Sequence, residues 1–378
     1  MKNIVMFAMV LLPLNAASSQ SYPGPGMEGG PPAQAAPPSW QLTAWMPGEV
    51  RCGSTVVAAT AMRRPLTAIR WSSGGRSAEA MTYRFRIDAT GRPLSIRPDP
   101  APGPVPGLWT EDVAPSLAAS VFAAGVAQPD CSITYTLRAT SPAETPVGDL
   151  ISYTLTPLSG KLPADGWARI FSPESTCLKE PRPSPLMAAF PDFSTLPGTP
   201  GARDWTMIAY DQDKRGDPVH VRTAYGTGNA ALDRAGVEAF RKSRFTGGAR
   251  AGCMYPYWRN AATLAAPEAP AEDALRPAGS NCSHSDDWTR PPALRYPQAY
   301  QRRSIEGWAV VAFDVAPWGE LGNLRVLASE PTSDFGVQAI GVLRSARKPA
   351  SATGLSGCVE RVFFRIAAAG LSPDDGSV

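Results

Sequence analysis

The chain has 378 residues, of which 43% are hydrophobic and 18% are charged, and its formal net charge is +3. This length allows two or three domains with packed cores, whereas so small a charge excess argues against nucleic acid or an anionic membrane as the main partner. The 40 prolines and 34 glycines predict many turns and strand ends and few long helices.

Residues 1–19 have the pattern of an export signal. Lys2 provides the positive charge, an apolar run follows over 4–14, and small residues then predict cleavage near 17–19. The apolar run is about half as long as a membrane-spanning helix, so an uncleaved anchor is the less favoured alternative. Residues 20–41 are rich in proline and glycine and are expected to form a linker. The mature protein is therefore expected in an oxidising compartment.

Six cysteines, taken in sequence order, form three pairs with similar spacing: Cys52 and Cys131, Cys177 and Cys253, Cys282 and Cys358. Many connectivities are possible for six cysteines, so spacing alone does not assign them. Because the residues between the two members of each pair also correspond, we predict one disulfide within each pair. The alternative is a zinc site. It is disfavoured because no two cysteines are close in sequence and the only histidines are His220 and His284.

A glycine stands near the middle of each cysteine pair, at Gly91, Gly216 and Gly319. Six positions before it stands an aromatic residue, which is Phe85, Tyr210 or Phe313. Apolar residues alternate before each glycine, and a second strand-like run follows it. This pattern predicts a β-hairpin whose turn uses the left-handed backbone conformation that glycine adopts readily.

A helix and a final strand are predicted after each hairpin. Apolar residues at helical spacing predict helices over 232–240 and 335–343. In the first copy, Asp112 is expected to cap a helix that reaches Phe122. The second cysteine of each pair then opens the last strand.

These elements predict an α+β protein of three tandem ββαβ units, each an antiparallel sheet packed by a helix. Residues 141–170 receive no assigned element, although the stretch 149–157 is strand-like and is expected to add strands to the first unit. The predicted units, in chain order, are 42–170, 171–265 and 275–370.

Residues 291–367 carry an ordered set of short motifs. The set comprises Tyr-Pro at 296–297, Ile-Glu-Gly at 305–307, WAVVAFDV at 308–315, Gly319 and VERVFFRI at 359–366. In this order it resembles the TonB C-terminal domain family, over about a fifth of the chain. The first two units resemble the same domain more distantly, because they lack a clear Tyr-Pro or Ile-Glu-Gly motif. The resemblance implies a periplasmic protein with three TonB-C-like units.

The resemblance also implies a binding mode. In this family the last strand lies at a sheet edge, where an extended peptide of an outer-membrane transporter adds as a further strand. The corresponding strand here covers 359–366. The partner-binding residues that the resemblance implies are Tyr296, Pro297, Val359, Arg361, Phe363 and Arg365. The alternative is a soluble, disulfide-stabilised periplasmic scaffold or binding protein, without energy transduction, in which this strand only completes the sheet.

Some features depart from the pattern of energy-transducing family members. Those members are anchored in the inner membrane and span the periplasm with a long proline-rich segment, whereas this chain has a cleavable-looking signal and a short linker. Ala293 stands where many members carry glutamine, and no aromatic residue follows Arg344 at the helix end. These departures disfavour full energy transduction, whereas peptide binding is still expected.

Motifs of catalysis and of nucleotide binding are absent from the sequence. It contains no GxSxG, GxxxxGK[ST] or GxGxxG. Asp211, Asp213 and Gly216 resemble the start of a calcium loop, but Arg222 stands where that loop needs glutamate. We therefore expect that the protein is not an enzyme and that it uses no cofactor, metal ion or nucleic acid.

Overall fold

The computed structural model describes residues 39–72, 79–100, 109–282 and 287–366. The predicted signal peptide and residues 20–38 of the predicted linker lie outside this part of the chain. The predicted end of the linker at residue 41 is wrong, because the first strand already begins at Ser39. Trp40 explains the difference, since its side chain is only 3% exposed and therefore needs a folded environment.

The first half of the described chain is mainly strands with three helices. In chain order these elements are β1 (Ser39–Cys52), β2 (Thr55–Val56), β3 (Ala59–Ala61), β4 (Ala68–Ser72), β5 (Ala80–Ile87), β6 (Pro93–Pro98), α1 (Val113–Ala118), β7 (Val121–Phe122), β8 (Gln128–Thr140), α2 (Val147–Leu155) and α3 (Ala164–Ile170).

The second half contains two similar successions of hairpin, helix and strand. In chain order its elements are β9 (Pro185–Met187), β10 (Asp204–Gln212), β11 (Pro218–Gly226), α4 (Ala230–Phe240), β12 (Arg244–Phe245), β13 (Arg250–Arg259), a short 3-10 helix (Glu272–Leu275), α5 (Gln298–Arg302), β14 (Gly307–Val315), β15 (Leu321–Glu330), α6 (Ser333–Leu343) and β16 (Leu355–Phe364).

The protein is a mixed α+β structure with three main antiparallel sheets. The first sheet has the strand order β2-β1-β8-β5-β6, with β4 also paired to β1. The second has the order β11-β10-β13, and the third has the order β15-β14-β16. In each case the first strand of a hairpin (β5, β10 or β14) lies between its hairpin partner and the strand that follows the helix. Two small two-stranded sheets, β3 with β7 and β9 with β12, complete the set among the described residues.

The predicted cysteine pairs are confirmed at disulfide distance. The Cα–Cα distances are 3.9 Å for Cys52–Cys131, 5.4 Å for Cys177–Cys253 and 5.0 Å for Cys282–Cys358. In each main sheet the second cysteine is directly opposite the predicted aromatic residue, in the pairs Phe85↔Cys131, Tyr210↔Cys253 and Phe313↔Cys358. The last strands begin three residues before these cysteines, so they start earlier than predicted.

The predicted turn glycines all have left-handed backbone angles. The φ angles of Gly91, Gly216 and Gly319 are 84°, 89° and 91°. The carbonyl oxygen of each accepts a hydrogen bond of 2.9–3.0 Å from a backbone N–H beyond the helix, donated by Phe122, Phe245 and Lys348 respectively. A Cβ atom on any of these glycines would overlap a backbone oxygen of that same segment. Glycine is therefore required by its conformation and by the close approach of two backbones.

We expect Gly319→Ala to destabilise the protein by more than about 2 kcal/mol, because it combines left-handed strain with a backbone clash. The free energy of unfolding in urea measures the effect. Gly322→Ala is the matched control, because no heavy atom lies within 4 Å of its added Cβ. Equal losses in the two variants would contradict this account of the turn.

Each hairpin also contains one non-glycine residue with a left-handed backbone. Its side chain forms a hydrogen bond with a residue of the central strand that stands nine positions earlier in the sequence. The φ angles of Ser95, His220 and Asn323 are 53°, 54° and 50°. Ser95 accepts a hydrogen bond of 3.2 Å from Arg86, His220 lies 2.9 Å from Asp211, and Asn323 donates to Asp314 over 2.7 Å. The hydrogen bond from Asn323, with a second from Gly357 N–H, lowers the pKa of the Asp314 carboxyl.

The first and third sheets share one hydrophobic core. Phe85 and Ile133 of the first sheet belong to the same buried cluster as Phe364 of the third sheet and Phe335 of α6. Polar contacts join the two sheets beside that core. The Glu330 carboxylate, at the end of β15, accepts hydrogen bonds from Ser95 N–H (2.6 Å), Ser95 Oγ (2.7 Å) and Arg86 (3.0 Å). The two sheets are therefore held against each other as one body.

The stretch 149–157, expected to add strands, instead contributes to helix α2, so that prediction is wrong. In helix α2, the apolar residues Val147, Leu150 and Ile151 share one helical face. They pack with Trp40 of β1 and Trp205 of β10 in a second buried cluster. Burial between two sheets therefore outweighs the strand preference of isoleucine, tyrosine and threonine.

Helices α4 and α6 confirm the second and third predicted helices, but the first prediction needs correction. Helix α1 ends at Ala118, and Phe122 belongs to strand β7. Asp112 makes no side-chain capping hydrogen bond to the helix. Its carboxylate is instead bound by Leu66 N–H and by Arg303, which local sequence could not indicate.

Candidate functional site: the end strand of the third sheet

Strand β16 is the end strand of the third sheet and contains three of the six predicted partner-binding positions, and Arg365 follows directly after its end. It pairs antiparallel with β14, from Val315↔Leu355 to Gly307↔Phe364. The described strands include none on its outer side. The sequence-predicted strand therefore occupies the position in a sheet at which a further strand can be added.

The side chains of β16 alternate between two packed faces. Val362 and Phe364 point into the core shared with the first sheet, where Phe364 lies 5.0 Å from the Phe335 ring. Val359 and Phe363 lie on the opposite face, in a separate cluster with Trp308 of β14. Both faces of the strand are therefore occupied by side chains of the chain itself.

Residues 264–275, which we name the covering segment, pack against the face that carries Val359. Ala266, Ala269 and Leu275 contribute its apolar contacts to that cluster. Its backbone accepts hydrogen bonds from Trp308 Nε1 at Pro267 O (2.9 Å) and from Arg361 at Pro270 O (3.4 Å). Val359 is consequently only 6% exposed and lies beneath this segment.

Two arginines flank Phe363 on the same face. The guanidinium carbons of Arg361 and Arg365 lie 5.6 Å and 5.4 Å from the centre of the Phe363 ring, within the range of a cation–π contact. Arg365 also forms an ion pair of 3.1 Å with Glu306, while its side chain stays 56% exposed. This end of β16 therefore presents an aromatic ring between two guanidinium groups.

The structure places Tyr296 on the face of β16 opposite Phe363. The Tyr296 hydroxyl donates to Ile305 O over 2.6 Å, and its ring meets Phe364 edge-on at 5.8 Å. Burial, together with the Glu306 carboxylate, raises the pKa of this hydroxyl. Pro297 precedes the first residue of α5. Tyr296 thus packs against the face of β16 that is opposite Phe363.

Glu306 was not singled out by sequence reasoning, although it lies within the quoted Ile-Glu-Gly motif. Its carboxylate accepts hydrogen bonds from Arg365 (3.1 Å), from the N–H of Ile366 (3.0 Å) and from the N–H of Ala266 (3.4 Å). It is largely buried, with a side-chain exposure of 10%. Glu306 therefore ties the end of β16 to the covering segment.

The corresponding last strands of the other two sheets have different neighbours. Strand β8 pairs along its outer side with β1, antiparallel, from Leu42↔Thr140 to Cys52↔Cys131. Strand β13 pairs with β10, and its first residues are bound by Ser175 and Thr176. In the first sheet the chain itself has therefore added a strand beside the last strand.

The described residues contain no group of three or more His, Cys, Asp or Glu side chains arranged to hold a metal ion. His220 contacts Asp211, as described above, and His284 lies outside the described residues. In the same part of the chain, no helix is both long and apolar enough to span a bilayer.

The geometry defines a class of domain: a small antiparallel sheet, covered by one helix, whose last strand lies at the sheet edge. Comparison with known families agrees with this class. Residues 292–360 match the family model of the Gram-negative bacterial TonB protein C-terminal, which confirms the predicted resemblance over less than a fifth of the chain. This is a periplasmic domain family associated with outer-membrane transporters. No curated protein matches the chain.

Proposed function

We propose that this protein is a periplasmic TonB-like protein that binds an extended peptide by strand addition at β16, in the service of TonB-dependent outer-membrane transport. The observation that carries the proposal is the position of β16 as the end strand of a sheet whose residues match the TonB C-terminal family. Added strands gain backbone hydrogen bonds, and alternate side chains provide specificity. In this proposal the protein is exported by residues 1–19 and has no catalytic role.

The charge of the strand end indicates the kind of peptide. Arg361 and Arg365 flank Phe363, and Arg365 is more than half exposed. A peptide that carries an acidic residue next to an apolar one would complement this surface, because the guanidinium group binds carboxylates through paired hydrogen bonds. The partner proposed here is an acidic, extended segment of an outer-membrane transporter.

We further infer that the chain consists of three tandem TonB-C-like ββαβ units. Three features support this, since they recur in all three main sheets at corresponding places. The first is the central hairpin strand, the second is the aromatic residue opposite the disulfide cysteine, and the third is the left-handed glycine that contacts the segment after the helix. The first unit would then be a diverged copy, to which β1 and β4 add strands.

Site-specific photocrosslinking tests peptide binding at β16. A photoreactive amino acid at position 365 is expected to crosslink to synthetic N-terminal peptides of the host's outer-membrane transporters. The matched control is position 325, an exposed arginine on β15 at the opposite edge of the same sheet. Crosslinking at both positions, or at neither, would refute strand addition at β16.

A second candidate function is a periplasmic scaffold that keeps the fold without binding a transporter. The covering segment favours it, because this segment and Glu306 already fasten β16 on one face. A scaffold would ignore the transporter peptides in the same crosslinking experiment. Leu275→Ser removes an apolar contact of the covering segment. In a scaffold, crosslinking at position 365 would stay absent in this variant, whereas strand addition predicts that it persists.

A further inference from the structure

A cavity of about 460 Å³ lies beside the hairpin of the second sheet. Its walls come from the segment after β3, from helix α2, from the start of β10 and the end of β11, and from the residue that follows α5. None of its lining residues belongs to the edge of β16. Any role of this cavity is therefore separate from strand addition.

Four arginines line the cavity, and they differ in how their charge is balanced: Arg63, Arg64, Arg203 and Arg303. Arg64 forms an ion pair of 3.2 Å with Asp149. Arg303 forms a buried ion pair with Asp112. The charges of these two guanidinium groups are thus balanced by carboxylates of the protein.

The other two arginines have no carboxylate partner among the described residues. Arg203 donates to Leu155 O (2.5 Å), to Thr156 Oγ1 (3.3 Å) and to Asn260 Oδ1 (3.1 Å), which are all neutral acceptors. The buried Nε of Arg63 has no hydrogen-bond partner in that part of the chain. Buried donors of a charged group are normally hydrogen-bonded, so these arginines retain binding capacity.

The acidic residues in the lining are Asp149, which pairs with Arg64, and Asp204. Both carboxylate oxygens of Asp204 already accept hydrogen bonds. Oδ1 accepts from Thr199 Oγ1 and Oδ2 accepts from Thr199 N–H, each over 2.9 Å. Trp205 and Tyr225 add aromatic surface to the walls, and Tyr225 is 37% exposed. The cavity thus combines an aromatic wall with two arginines, Arg63 and Arg203, that have no carboxylate partner among the described residues.

We propose that this cavity binds a small molecule that carries an oxyanion, either a carboxylate or a phosphate, with Arg63 and Arg203 as its ligands. A planar guanidinium group matches both kinds of oxyanion through two parallel hydrogen bonds. The cavity volume admits a small organic anion whose apolar part contacts Trp205 and Tyr225, and it is too small for a folded partner.

Arginine-specific modification by phenylglyoxal, mapped by mass spectrometry on the full chain, tests the proposal. Separate arms contain inorganic phosphate, acetate, or chloride at the same ionic strength. We expect phosphate, acetate or both to slow modification of Arg63 and Arg203 by roughly tenfold, and chloride to have no effect. The arm that protects identifies the preferred oxyanion. Protection in neither the phosphate arm nor the acetate arm would overturn the proposal.

Arg51 is the control residue within the same experiment, because it lies outside the cavity and is 55% exposed. Equal protection of Arg51 would show general screening and would also overturn the proposal. Calorimetric titration of the protective anion into Arg63→Gln provides a second measurement. This variant is expected to fold, since the Arg63 side chain makes no internal hydrogen bond or ion pair among the described residues, yet to bind the anion roughly tenfold more weakly.

Discussion

Arg303→Met is expected to destabilise the protein by about 3–5 kcal/mol, because it leaves the buried carboxylate of Asp112 without its countercharge. In the native protein the Arg303 guanidinium binds both oxygens of Asp112, with hydrogen bonds of 2.7 Å and 2.5 Å. The side chains of Arg303 and Asp112 are only 8% and 2% exposed. Urea unfolding followed by tryptophan fluorescence measures the loss.

The same guanidinium also joins connecting segments from three distant parts of the chain. It donates to Arg64 O (3.0 Å) after β3 and to Gly201 O (3.2 Å) before β10, while Arg303 itself follows α5. The loss in Arg303→Met is therefore expected to appear as loosened contact between the sheets, which hydrogen exchange of β10 and β14 would detect.

Two variants make this prediction specific. Arg344→Met changes an exposed arginine at the end of α6 and is expected to alter the free energy of unfolding by less than about 0.5 kcal/mol. Arg303→Met combined with Asp112→Asn is expected to lose less than Arg303→Met alone, because no unpaired charge stays buried. Similar losses in Arg303→Met and Arg344→Met would show that the ion pair is not structural.

Removing the first disulfide, by Cys52→Ala with Cys131→Ala, is expected to lower the free energy of unfolding by about 2–5 kcal/mol. The two cysteines are separated by 79 residues, so the bond restricts a long loop in the unfolded chain. Both are also buried, at 8% and 0% exposure, and the double replacement leaves space in the core. Urea unfolding under non-reducing conditions measures the change.

The third disulfide supplies a matched comparison, since its cysteines are separated by 76 residues. Cys282→Ala with Cys358→Ala should therefore cost a similar amount through the unfolded state. Non-reducing peptide mapping of the native protein is the accompanying control. Peptides joining Cys131 to Cys177, or any other bond between different sheets, would contradict the pairing on which both expectations depend.

Sequence reasoning succeeded where a residue acts through its own backbone or its immediate neighbours. Gly319 predicts a turn at its own position, because a left-handed backbone is strained for other residues. Val311 and Phe313 predict a strand, because they stand two positions apart and side chains at that spacing lie on the same face of a strand. The cysteine pairs became assignable because these local signals place each pair in the same relation to a hairpin.

Predictions from the sequence were wrong where the structure of a segment depends on contacts with residues that are distant in the sequence. The stretch 149–157 has the composition of a strand, but Leu150 and Ile151 are buried between two sheets as one face of a helix. Asp112 has the chemistry of a helix cap, but Arg303 lies 191 residues away in sequence and takes its carboxylate. Neither competitor is visible in a local window of sequence.

The candidate site shows the same division. The sequence by itself determined the hairpins, two of the three helices, the disulfide pairing and the family of residues 292–360, because each depends on local geometry or on an ordered set of motifs. Only the tertiary structure decided that Val359 lies beneath the covering segment, and that Tyr296 and Phe363 are on opposite faces of β16. It also decided that an arginine-lined cavity forms between α2 and the β10–β11 hairpin. These features depend on contacts between segments that are distant in the sequence. Burial of such contacts contributes to the free energy of folding, but it produces no periodic pattern in the sequence.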